Sequence, residues 1–181
     1  MVVYRFKTKR SLGGRSACMS CRAQLRFYEL VPLFSYVFLR GRCRTCCSRI
    51  SIQYPLVELI SGIIFASLFW KFQSWFWTDP KLFLINFIFY SLAFLILLAI
   101  STYDIKHKII PDEMSLALGV ISLSGLFLFC TGGVAIHTPK LTDFLAGVYL
   151  FLPFALLSLG SRGAWMGFGD AKLTLSLGWL L

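Results

Sequence analysis

Charge is scarce in this chain, and acidic charge scarcer still. Only 14% of the 181 residues are charged, and eight of them are Asp or Glu. With 57% of residues hydrophobic, this composition excludes an ordinary water-soluble domain and points to a membrane protein. No secretory signal is visible, because Met1 to Gly14 is basic and polar and lacks an apolar core; insertion is expected to rely on internal hydrophobic segments. No low-complexity tract or sequence repeat stands out. The basic residues come without a helix-turn-helix or similar motif, which argues against nucleic acid as a partner. The apolar runs also lack the two-residue alternation of barrel strands, so helices are the expected spanning form.

What charge there is lies at one end. Residues 1–54 hold 11 Lys/Arg and one acid, Glu29, whereas residues 55–181 hold seven basic and seven acidic residues. Basic residues are retained on the cytoplasmic face of membrane proteins and attract anionic lipid headgroups, so membrane lipids are an expected partner. Two regions follow: a basic, cysteine-rich segment over 1–54 and a helical membrane region over 55–181. Helices are expected at about 55–77, 82–103, 114–134, 144–160 and 171–181, each read from the ~20 apolar residues that a span requires. Trp70, Trp75 and Trp77 fit an interfacial aromatic belt from which Lys71 can snorkel. The last segment is still apolar at Leu181 and reads as incomplete. The expected class is an all-α polytopic membrane protein, a helical bundle with a small N-terminal cytoplasmic zinc-binding domain of four cysteines.

The cysteines supply the first site. Cys18-Met-Ser-Cys21 and Cys43-Arg-Thr-Cys46 form two CxxC pairs separated by 21 residues. Two such pairs predict a tetrahedral structural zinc site filled by four thiolates. So short a segment cannot bury enough core alone, and metal binding would supply its folding energy. A cytoplasmic location disfavours disulfides. Cys47 reads as a spare, and Cys130 as a small apolar residue within a helix.

The acids supply the second. Asp104 is the first charge after a 22-residue uncharged run, Leu82 to Tyr103, and Asp170 closes Gly167-Phe168-Gly169-Asp170. Two hydrophobic segments lie between them, and two crossings return a chain to the side it left. Both carboxylates are therefore expected at one membrane face, the minimum equipment of an aspartyl protease. Gly167 and Gly169 would permit a strained turn and close approach of a substrate chain. On the residues alone, the two acids remain either a catalytic pair or two interfacial residues that end helices. Glu58 reads either as a functional acid or as one facing an Arg; Asp112, after Pro111, reads as a helix cap or a supporting acid. Asp143 stands ahead of an apolar run as an N-cap would, and Asp79 falls in a loop.

Taken in order, these residues resemble one family. The paired CxxC motifs occur with Ser35-Tyr36 and Leu39-Arg40-Gly41-Arg42-Cys43. Ile50-Ser51, Tyr54-Pro55 and Val57-Glu58-Leu59 follow, then Asp104, Ile110-Pro111-Asp112 and Gly167-Phe168-Gly169-Asp170-Ala171-Lys172-Leu173. The chain is similar to bacterial prepilin peptidases, also called type IV prepilin leader peptidases. The resemblance implies an aspartic endopeptidase of the bacterial cytoplasmic membrane that removes the leader of prepilins or pseudopilins after a Gly. It implies N-methylation of the new N-terminus with S-adenosylmethionine in many members. By position it implies Asp104 and Asp170 as the catalytic acids and Cys18, Cys21, Cys43 and Cys46 as zinc ligands; Glu58, Asp112 and Lys172 are our supporting candidates. The departures are a short polar stretch where members carry a hydrophobic helix, Met19 in place of the usual Pro, and missing final helices. They lead us to expect a chain truncated at both ends. The alternatives are a peptidase without methyltransferase activity and a non-enzymatic zinc-ribbon membrane adaptor. A transporter is disfavoured because its acids would lie near the bilayer midplane.

Overall fold

The computed structural model describes residues 17–18, 20–31, 33–130, 133–134, 138–162 and 166–180. Expectations placed on Met1–Gly14, Met19 and Leu181 lie outside the described residues, as does the side chain of Cys130. The chain divides into two compact units, Met1–Ala66 and Ser67–Leu181.

The first unit is built from short turns. A 3₁₀ turn, Phe27–Leu30, and a five-residue helix α1, Phe34–Phe38, join two cysteine-bearing loops. Glu29 accepts the Arg26 N–H at 2.8 Å, which satisfies an orphan donor at the start of the 3₁₀ turn. Leu33 begins α1 with φ at +59°, an uncommon conformation for a residue with a Cβ. Gly41 has φ +68°, and a Cβ there would lie 2.9 Å from the Tyr36 hydroxyl. Glycine is thus required both by the backbone and by the ring lying against it. Helix α2, Gln53–Thr78, starts in this unit and continues into the second.

In the second unit α2 is followed by α3, Pro80–His107, then α4, Asp112–Leu128, α5, Leu141–Gly160, and α6, Phe168–Leu180. Asp79 is not merely a loop residue. Its Oδ1 accepts the N–H groups of Lys81 and Leu82 at 3.1 and 3.3 Å, and Pro80 takes the first helical position, as capping chemistry favours. Asp143 does not stand at the N-cap. It is the third residue of α5, and its Oδ2 reaches back to the Lys140 N–H at 3.0 Å. Helix α4 stops at Leu128, short of the expected end near 134. There Phe129–Cys130 pairs antiparallel with Gly133–Val134; Gly132-Gly133 is a turn signal that a helix does not easily carry. Cys130 therefore lies in a strand rather than a helix.

Among the described residues, three helices, α2, α3 and α5, are long and apolar enough to cross a membrane. At 17 residues α4 lies at the lower edge of a spanning length. Large apolar side chains along these helices are exposed, among them Ile63, Trp70, Ile88, Val120 and Leu156, as expected of surfaces that face lipid. Lys71 does not simply snorkel. Its Nζ lies 5.8 and 5.9 Å from the ring centres of Phe72 and Tyr90, a cation–π arrangement.

Small residues set the helix contacts. A Cβ on Gly178 of α6 would fall 2.6 Å from the Gly147 Cα of α5, and one on Gly125 of α4 would fall 2.6 Å from the Phe89 ring of α3. Close backbone approach of this kind is how helices associate where no hydrophobic effect drives them together. Trp179 donates its Nε1–H to the Phe144 carbonyl at 3.2 Å across the α5–α6 contact. Ala93, Ile100 and Leu118 form the buried centre, with Ile110, Met114 and Leu173 packed around it. The all-α membrane class expected from composition is the class observed.

Candidate active site and metal centre

The metal centre arises from two copies of one backbone turn. In the first, the Cys18 N–H donates to the Ala23 carbonyl at 2.9 Å, and the Arg22 N–H donates to the Cys18 carbonyl at 3.0 Å. In the second, the Cys43 N–H donates to the Ser48 carbonyl, and the Cys47 N–H to the Cys43 carbonyl, both at 2.9 Å. Arg22 and Cys47 each follow the second cysteine of a pair, and each has φ +56°. Cys47 is thus the turn-closing residue of the second loop, and its thiol is not one of the four that converge. The sequences of the two loops share little beyond the cysteines, which is why no repeat is visible in them.

The Sγ atoms of Cys18, Cys21, Cys43 and Cys46 all lie within 4.8 Å of one another, with those of Cys18 and Cys46 3.7 Å apart. A tetrahedral zinc–thiolate site with ~2.3 Å bonds puts its sulfurs about 3.8 Å apart, so the four residues fit a metal ion. Their electrostatics fit it as well. The Cys18 thiol is lowered to about 6, chiefly by the Cys21 N–H and then the Ser20 N–H. Cys46 is lowered by the Ser48 hydroxyl and then by the Ser48 N–H. Cys21 runs the other way: the Ala23 N–H favours its thiolate, but loss of solvent and the crowding sulfurs of Cys46, Cys18 and Cys43 prevail and push it up to about 11. A cation among the four sulfurs would offset this crowding and favour the thiolate form.

The acids occupy the second unit. Asp104 is on the last turn of α3, half-buried. The helix expected to end near residue 103 runs on through His107, which stacks on Tyr103 with ring centres 4.4 Å apart. Lys108 then ends the helix with φ +52°, its N–H bonded to the Asp104 carbonyl at 2.6 Å. Asp170 is the third residue of α6, and its N–H donates to the Gly167 carbonyl at 3.2 Å. An acid in the first turn of a helix faces the positive end of the helix dipole, and one in the last turn faces the negative end.

Two contacts bring these segments to one end of the bundle. A Cβ on Gly169 would lie 3.2 Å from the Ile110 Cβ, so the first turn of α6 rests directly on the link between α3 and α4. Lys172 donates from Nζ to Asp112 Oδ1 at 2.7 Å, tying the second turn of α6 to the first residue of α4. Asp112 therefore does not cap α4. Pro111 holds the cap position, and the Asp112 carboxylate binds Lys172 instead. Neither Gly167 nor Gly169 adopts a positive φ, so the expected strained turn is absent. Gly169 is needed for closeness to Ile110, while Gly167 is exposed and has room beside it. Neither the Asp104 nor the Asp170 carboxylate receives a hydrogen bond or ion pair from another described residue.

Glu58 belongs to the first unit, and its carboxylate is taken by backbone rather than by an Arg. Its Oε2 accepts the Leu33 N–H at 3.1 Å, which satisfies the backbone at the strained start of α1. The sequence also gave no sign of Ser48 as a neighbour of the cysteine cluster, or of Ile110 as the seat of Gly169. In both cases the motif residues were visible but their packing partners were not.

Fold and sites together define a class: a multi-pass helical membrane protein carrying a four-cysteine metal-type domain, with two acids at one end of its bundle. Comparison with known proteins narrows this. Residues 1–72 match the bacterial peptidase A24 N-terminal domain, and residues 91–181 match the type IV leader peptidase family. The chain belongs to the type IV leader peptidase family. It is 33% identical over 166 residues to a prepilin leader peptidase/N-methyltransferase of Neisseria gonorrhoeae, covering 91% of this chain and 54% of that protein. It is 32% identical over 169 residues to one of Legionella pneumophila, with 92% and 54% covered, and 37% identical over 171 residues to one of Burkholderia pseudomallei (strain 1026b), with 92% and 50% covered. The chain spans about half the length of these relatives. No solved structure matches it.

Proposed function

We propose that this chain carries the peptidase chemistry of a prepilin leader peptidase, cleaving the leader of type IV prepilins or pseudopilins after a Gly, with Asp104 and Asp170 as the catalytic acids. The observation that supports this reading is the placement of the segments that bear them. The Ile110–Gly169 contact and the Lys172–Asp112 bridge hold the end of α3 and the start of α6 at one end of the bundle, with both carboxylates free of partners among the described residues. One acid takes a proton from water, and that water attacks the carbonyl carbon of the leader Gly. The other acid donates its proton to the carbonyl oxygen; as the intermediate collapses, the first acid gives the proton taken from water to the leaving amine and the second recovers its own from the oxygen. A rim position suits a substrate cut where its own hydrophobic helix enters the membrane, and the exposed Gly167 leaves space for an approaching backbone.

The four cysteines would hold zinc, which supplies folding energy to a unit with little core. The N-terminal excess of Lys and Arg supports a bacterial inner-membrane orientation with the cysteine domain and both acids on the cytoplasmic side. The relatives' names carry N-methyltransferase activity, and we extend it here: transfer from S-adenosylmethionine to the new N-terminus, read with labelled cofactor and cleaved pilin. The decisive experiment assays Asp104→Asn and Asp170→Asn on a prepilin in detergent. Each variant should lose cleavage while keeping its fold, and full activity in either would refute the assignment.

A further inference from the structure

The first unit leaves its largest apolar side chains in the open. Phe27 and Phe38 are 84% and 82% exposed, and Phe34 and Val37, on the same short helix as Phe38, are exposed as well. The 3₁₀ turn and α1 that bear them pack against each other, so these side chains belong to one neighbourhood of the unit. Water-soluble surfaces rarely present such a patch without a partner.

Two further observations say what covers it. The first is position. The Leu33 N–H is bonded to Glu58, the sixth residue of α2, at 3.1 Å. At 1.5 Å per residue, this pins the start of α1 only about 7.5 Å along the axis from the first residue of a membrane-spanning helix. Ile52, Leu56 and Leu59, at that same end of α2, are exposed too. The apolar face of α1 therefore stands beside the point at which the chain leaves water. The second is charge. Residues 17–54 contain six arginines and one acid, Glu29, a net of +5, and all six arginines are exposed. Arg40 follows α1 closely, its N–H bonded to the Val37 carbonyl at 3.1 Å. Aromatic side chains next to exposed guanidinium groups, at the mouth of a spanning helix, match the layered chemistry of a bilayer surface.

We propose that the Phe27–Phe38 face is a membrane-docking surface: Phe34, Val37 and Phe38 insert at the headgroup level of the leaflet where α2 begins, and the arginines bind anionic lipid headgroups. The domain then rests on the bilayer in a fixed pose instead of swinging on α2. This reading needs only the spanning helix and is independent of the proposed peptidase activity.

The test uses the full chain in nanodiscs with p-benzoylphenylalanine at Phe34 or at Phe38. Discs contain either phosphatidylglycerol with phosphatidylethanolamine or phosphatidylcholine alone, and intact mass spectrometry reads the photoproducts. The expected result is an adduct of lipid mass at both positions, with yield in anionic discs falling by about fivefold or more when Arg40 and Arg42 are replaced by Glu. Crosslinks only within the chain or to a second protein would overturn the proposal, as would absence of any adduct. A second measurement uses the unmodified chain, so that the result does not hang on the variants folding. Amide exchange over residues 33–40 should be slower in anionic than in phosphatidylcholine discs, and equal exchange would overturn the proposal.

Discussion

Replacing Lys172 by Ala should barely change stability and should strongly reduce leader cleavage. The Lys172 Nζ and Asp112 Oδ1 are 2.7 Å apart, with side chains 44% and 75% exposed. Coulomb attraction at that distance in a water-like dielectric is about 1.5 kcal/mol. Ordering two solvated side chains consumes most of it, so a net contribution of ~0.2–1 kcal/mol is expected. A positioning effect is of another size. The bridge acts beside the Ile110–Gly169 contact and the packing of Leu173 with Ile110 and Met114 around the buried centre, and fixes the first turns of α6 against the start of α4. A displacement of reacting groups by about 1 Å can reduce a rate ~100-fold. Lys172→Ala and Asp112→Ala should therefore each shift the unfolding midpoint little while lowering kcat for prepilin cleavage by about 10- to 100-fold. The loss should appear in kcat more than in KM. The reversed pair, Lys172→Asp with Asp112→Lys, should recover part of the activity if the bridge itself matters. The assay is cleavage of a purified prepilin followed by mass spectrometry, beside thermal unfolding of each variant in detergent. Unchanged kcat in both single variants would refute the positioning argument, and equal loss in the reversed pair would show that the two residues act separately.

Three further outcomes can be measured independently. Cys43→Ser removes the one buried ligand of the cluster, and metal content by elemental analysis should fall from one ion per chain to none, with the first unit becoming susceptible to proteolysis. Gly178→Val forces side-chain atoms into the Gly147 backbone, 2.6 Å from a Cβ at that position; parting α5 from α6 should lower stability by about 1–3 kcal/mol, read as a lower unfolding midpoint. Ser122→Ala acts in the opposite sense. Its hydroxyl is fully buried and without a partner among the described residues, so removing it should be neutral or stabilising by ~1 kcal/mol, and marked destabilisation would reveal a bond those residues do not show.

What could be read from the sequence depended on how local each cause was. The cysteine pairs were legible because a CxxC spacing confines both thiols to one turn whatever surrounds them. Helix existence was legible from apolar length, and the shared end of Asp104 and Asp170 followed from counting crossings, which needs no packing detail. Helix ends were less so. Asp79 and Asp143 both precede apolar runs, yet one caps its helix at the N-cap and the other from the third position. Which role an acid takes depends on where the first helical hydrogen bond closes, and Pro80 settles that for Asp79 whereas no such residue does for Asp143.

The glycines of the Gly167–Asp170 motif show where such reading stops. A glycine has two physical uses: it reaches backbone angles that a Cβ forbids, and it leaves empty the space a Cβ would fill. The sequence left both open at Gly169, a strained turn and close approach of a substrate chain. The structure assigns the second, since Gly169 has no positive φ and meets Ile110. Sequence position cannot separate these uses, because the first depends on the residue's own backbone and the second on a neighbour 59 positions away. The Lys172–Asp112 bridge, 60 positions apart, is illegible for the same reason: two exposed charges leave no periodic trace. Both acids stand out where they interrupt apolar runs, but what brings their segments to one end of the bundle is written only in tertiary contacts.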